Sequence, residues 1–165
     1  MHCAFYVFVS AVGAAPLLLV WHYWHVAKTK GWAWSSIDSR NMYVDAFKTI
    51  ITASGIAVAL LASSAVGTAR TASPIVAFSA KVAAVCLISS VCVSLIAIVG
   101  LLRGHELAKS RYIDERRRAG TLTGSDITEG KLSTGELLCI LAPAAVALSC
   151  FLVGFVFLGR IAFHF

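Results

Sequence analysis

Four long runs of apolar side chains, residues 5–26, 48–68, 75–102 and 137–159, are separated by stretches in which nearly all the charges of the chain are gathered. Each run has about 20 residues or more, and at 1.5 Å per residue that is enough to cross about 30 Å of hydrocarbon. In such a solvent a segment must satisfy its backbone hydrogen bonds from within, so the runs predict helices. The expected fold is all-α: one polytopic domain over residues 1–165, with four transmembrane helices in a bundle and a polar loop over 103–136.

The boundaries carry their own signals. No formal charge occurs in residues 1–27. A cleaved leader would show a basic residue ahead of the apolar run and a clear cleavage site after it; neither is present, so the run is read as the first span. Arg70, Ser73 and Pro74 mark a tight turn after the second span. A proline at the first turn of the third helix gives up no needed donor. That helix extends through residue 102, and its continuation is expected to protrude beyond the bilayer. There Arg111 and Glu115, like Asp114 and Arg118, are four apart and would share a face. Gly120, Gly124 and Gly130 interrupt it further on. Arg160 follows the fourth span closely enough to snorkel to the interface.

Composition agrees with this pattern: 59% of the residues are hydrophobic and 13% are charged, and the mean hydropathy is +0.83. Soluble domains carry about a quarter charged residues. The net charge of +6 could suggest nucleic acid, but the basic residues flank apolar runs instead of lining one face with aromatics between them, so no nucleic-acid partner is expected. Lys28, Lys30 and Arg40 lie in the first loop, and Arg103, Lys109, Arg111, Arg116, Arg117, Arg118 and Lys131 in the third. By the positive-inside rule, loops 27–47 and 103–136 face the cytoplasm or its equivalent and both termini face outward. Trp21, Tyr23, Trp24, Trp32, Trp34 and Tyr43 mark the same inner boundary as an aromatic belt. Cys3, Cys86, Cys92, Cys139 and Cys150 form no CxxC pair, and the odd count speaks against a disulfide framework.

Candidate chemistry is sparse. Gly55, Ala59, Ser63 and Gly67 repeat every four residues, a stripe that would let another helix approach closely, in the same chain or in another protein. Lys81 is the one formal charge within a span; it either snorkels to the outer headgroups or marks an ion pathway or an anionic-ligand site. His22 and His25 share a helical face, and His105 falls at the same depth, so a metal or haem site would need these three to converge; His2 and His164 lie on the outer side. The basic residues Arg111, Arg116, Arg117 and Arg118 would attract anionic lipid headgroups or a docking partner. All eight acids lie in loops or at span ends, which weakens a proton-coupled transporter. No phosphate loop, HExxH helix or supported nucleophile set occurs, so no enzymatic activity is expected.

His22, Arg40 with Tyr43 and Val44, the small-residue run 61–67, Arg103 with His105, and Gly135 with Pro143 resemble the four-helix membrane family called domain of unknown function 599. The chain departs from its pattern at Lys48 and Thr49 and at Leu137, Leu138 and Cys139. The resemblance implies the four-span architecture without an activity, and no functional residue carries over from it. The expected role is a non-catalytic subunit of a larger membrane assembly, with lipids and other integral membrane subunits as partners and no cofactor beyond a bound lipid. The alternatives are a small homo-oligomeric channel or transporter lined by Lys81, Ser79, Ser89, Ser90 and Ser94, and, behind that, a haem-carrying redox subunit using His22, His25 or His105.

Overall fold

A computed structural model describes residues 2–30, 32–68, 73–121 and 129–163. Its helices are α1 (His2–Lys30), α2 (Ile37–Thr68), α3 (Pro74–Arg118) and α4 (Thr134–Ala162). All four are long and apolar enough to cross a membrane. Arg70, Gly124 and His164 lie outside the described residues, and the side chains of His2, Lys30, Trp32, Trp34, Lys131 and the surroundings of Gly67 are not described either.

The helices form an open row in the order α1, α4, α3, α2. Among the described residues α1 packs on α4, α4 on α3 and α3 on α2, while α2 barely reaches α4. The centre of the row is the α3–α4 pair. Along α3 the buried side chains are Val76, Ser79, Ala83, Leu87, Ser90, Ser94, Ala97, Leu101, His105, Ala108 and Tyr112. Their spacing of three and four residues is the helical repeat, so one stripe stays covered over the whole element. Glycine makes the contact close at two levels. A Cβ on Gly154 would come within 2.8 Å of Leu87 Cγ, and one on Gly104 within 2.7 Å of Ile140 Cδ1. Ser90 adds a hydrogen bond from Oγ to the carbonyl of Ala147 at 2.9 Å.

Local sequence sets the helix ends. Ser73 caps α3, with Pro74 in the first turn. At the other end Gly120 has φ +66°, and its N–H reaches Arg117 O while Thr121 N–H reaches Arg116 O. That Schellman closure favours glycine, because a Cβ is strained at this φ. Gly120 therefore ends α3 as expected, whereas Gly104 does not interrupt it.

The polar segments are more regular than a pair of loops. Residues 103–118 continue α3 about 24 Å past the expected span, as the sequence suggested. Trp32–Ser36 (β1) and Glu129–Ser133 (β2) pair antiparallel, with Trp32 opposite Ser133 and Ser36 opposite Glu129. This two-stranded ribbon ties the first polar segment to the third. It corrects the reading of 103–136 as one loop: most of that segment is helix and strand, stabilised by a pairing that no local pattern announces.

Candidate functional site

The ribbon end of the row is where polar side chains from three helices converge. Leu101, Ala108, Leu132 and Ile140 bury against one another there, with Val44 packed on them. His105 lies on the same stripe of α3, one turn from either flanking residue, and is fully buried. Beside it Arg40 Nη1 of α2 approaches Glu106 Oε1 at 3.6 Å. Burial pushes the His105 imidazole below its ordinary value of 6.5; the cations Arg40 and Lys109 add to the lowering and Glu106 opposes it. Burial and the two cations thus disfavour the charged form of the ring.

A second knot joins α3 to the start of α4. Ser133 caps α4, and the Glu136 carboxylate accepts from Ser133 N–H at 3.0 Å and from its hydroxyl at 2.9 Å. This is a reciprocal capping box. Arg111 donates to the same carboxylate. Partial burial pushes Glu136 up, but the hydrogen bonds from Ser133 and Arg111 outweigh it, and the group ends below its ordinary 4.5. Replacing Glu136 with alanine is expected to lower stability by about 1 kcal/mol, the usual cost of a lost cap, measurable as a shift in the thermal midpoint in detergent. The Ser133-x-x-Glu136 spacing could have shown this box from sequence alone. Arg111 and Glu115 shared a predicted face, yet the acid that Arg111 pairs with is Glu136, across the helix junction.

The remaining basic residues divide into two kinds. Arg116 is half-buried and donates to Tyr112 Oη at 3.0 and 3.2 Å, whereas Arg117 and Arg118 are exposed to solvent. Two aromatic contacts lie at opposite ends of α1, one within that helix and one across to α4. Lys28 lies over Trp24 at 5.2 Å, and at the far end Arg160 lies over Phe5 at 4.4 Å, so Arg160 clasps α1 to α4.

The three histidines do not converge. His22 and His25 are exposed on α1, and α1 does not pack on α3, where His105 is buried. Among the described residues no group of three His, Cys, Asp or Glu side chains is placed to share a metal. Lys81 and the serines likewise part company: Ser79, Ser90 and Ser94 are fully buried between helices, Ser89 is half-buried, and Lys81 is exposed on a stripe with Phe78, Val85 and Ile88. Lys81→Gln removes a formal charge from this lipid-facing position and is expected to leave the thermal midpoint unchanged or to raise it.

The small-residue stripe faces away from the row. On α2 the side chains turned to α3 are Phe47, Ser54 and Ala57, all buried, while Gly55, Ala59 and Ser63 are exposed. A Cβ on Gly55 would meet nothing within 4 Å. Of the two contacts the stripe could serve, the one within the chain is therefore not made at these three positions.

Fold and surfaces together define an all-α integral membrane protein with four helices able to cross the bilayer. Compared with family models, with curated proteins and with solved structures, the chain matches none of them.

Proposed function

We propose that the chain is a non-catalytic subunit of a larger membrane assembly and works by contact. The observation that carries this reading is the openness of the row. In the spanning windows of the two edge helices, 6% of α1 and 17% of α2 are buried, against 28% for α3 and α4. Lipid tails cover bulky apolar residues well, but α2 presents Gly55, Ala59 and Ser63 on its open side, a surface suited to another helix. Other integral membrane subunits then occupy the edges of the row. Its ribbon end lies on the cytoplasmic-equivalent side, with Arg117 and Arg118 available to anionic headgroups or a peripheral partner, each contributing about 1 kcal/mol near a charged surface.

A homo-oligomeric channel draws less from the geometry, since its expected lining residues lie on different faces of α3. Native mass measurement after extraction in a mild detergent tests the assembly. The expected species carries a second protein in fixed stoichiometry with this 17.5 kDa chain. A monomer holding lipid alone, from every mild detergent tried, overturns the reading.

A further inference from the structure

The open face of α2 is polar as well as small. At 100° per residue, Asn41, Asp45, Lys48, Thr52, Gly55, Ile56, Ala59 and Ser63 fall within about 60° of one line along the helix, and all eight are exposed. The line is opposite to the face packed on α3. Ile56 is the one large apolar side chain among the eight, with Met42 and Leu60 flanking the line, whereas the exposed face of α3 carries Phe78, Val85, Ile88 and Leu95.

Charge identifies the occupant. Asp45 and Lys48 lie one turn apart on this line and pair within the helix at 3.2 Å, with 73% and 66% of their side chains exposed. Such an exposed pair is worth little and exchanges partners readily. Every copy of the chain takes one orientation in the membrane, because the same basic segments set it. Two copies meeting along α2 are then parallel, related by a two-fold axis normal to the bilayer: equivalent residues lie at the same depth, and a residue on one flank of the contact line meets the opposite flank of the other copy. In that arrangement Asp45 of each copy meets Lys48 of the other, twice over. The four-residue spacing of Gly55, Ala59 and Ser63 lets the two backbones approach closely below the charges.

We infer that α2 joins two copies of this chain as a parallel homodimer, with reciprocal Asp45–Lys48 pairs at the interface and the Gly55, Ala59, Ser63 face beneath them. The inference rests on the assembly reading and names one of its contacts.

Co-expression of two differently tagged copies, followed by capture of one tag in mild detergent, tests it. The native copies co-purify. Asp45→Lys makes both positions cationic and Lys48→Asp makes both anionic, so each variant alone loses self-association. Mixed together the two variants recover it, although neither keeps its pair within the helix; that recovery separates a contact between chains from one within a chain. Gly55→Leu, which has free space in the monomer, also loses the partner copy. Self-association that survives all three substitutions, or a mixture that stays apart, overturns the dimer. If native copies fail to co-purify with each other while the chain still carries a different membrane protein in fixed ratio, the dimer fails and the assembly reading stands. A lipid-bound monomer removes both.

Discussion

Gly154→Leu is expected to destabilise the protein by about 3 kcal/mol, at the upper end of what overpacking a core costs. Any Cβ at this position comes within 2.8 and 2.9 Å of Leu87 Cγ and Cδ2, with the carbonyl of Ala83 at 3.5 Å. Ala83 and Leu87 are themselves fully buried, so the obstructing side chain has nowhere to turn. Relief can come only if α3 and α4 move apart, which loses close packing along the centre of the row. Unfolding in a denaturing detergent, followed by helical signal, gives the loss directly. The combination with Leu87→Ala reports on its cause: the second substitution costs stability in the native chain, yet alongside leucine at 154 it restores part of what was lost, a coupling of about 1 kcal/mol or more. If the two losses simply add, the contact between Gly154 and Leu87 is not what the first substitution breaks.

Acidification is expected to weaken the ribbon end through His105. The ring is buried, and its folded-state pKa lies below the ordinary 6.5. Above pH 6.5 the folded and unfolded chains are both unprotonated at this residue, and pH has no effect through it. Below 6.5 the unfolded chain takes up the proton first, so stability falls as the pH drops from 6.5 toward the depressed folded value and levels off beneath it. Glu136 acts in a separate window: its lowered pKa contributes stability above 4.5 that is lost as the pH falls through the folded value. A series of thermal midpoints between pH 7.5 and 5 measures the histidine effect, and in His105→Gln that part of the profile should be flat. His105→Arg forces a permanent charge into the same place beside Arg40 and Lys109, and a loss of about 3 kcal/mol is expected at every pH, the order for an uncompensated buried charge. An unchanged midpoint in His105→Arg would show that the site opens to water without effort.

Hydropathy reveals which parts of this chain enter the membrane and is silent on how they face one another. The four spans and the overhang of α3 are readable from where charges stop and resume, and Pro74 and Gly120 act where their backbone preferences place them. Packing faces are another matter, because a helix immersed in hydrocarbon is apolar all round and has no wet side to betray the dry one. Small residues are therefore ambiguous. Gly154 and Gly104 receive neighbouring side chains, whereas Gly55 receives none, and spacing alone does not separate them. His105 is legible as a residue but not as a buried one, since its stripe of α3 is covered by distant parts of the chain, as Leu132 and Ile140 cover its neighbours Leu101 and Ala108. The ribbon is hidden for the same reason: Trp32–Ser36 is five residues long, and its partner strand lies beyond two membrane crossings.

The order of the row also constrains assembly in time. The first helix to be made rests on the last, α1 on α4, and β1 likewise waits for β2, with Ser36 opposite Glu129. The neighbouring pair α2 and α3 can come together as a hairpin as soon as residue 118 has emerged, because only a short connection has to close. Until the fourth crossing is complete, α1 has lipid alone for company and the backbone of Trp32–Ser36 has no strand beside it. A nascent chain stopped before residue 129 would thus hold a formed hairpin and a solitary anchor, and it is the segment from residue 129 onward that fastens α1 and β1 to the rest.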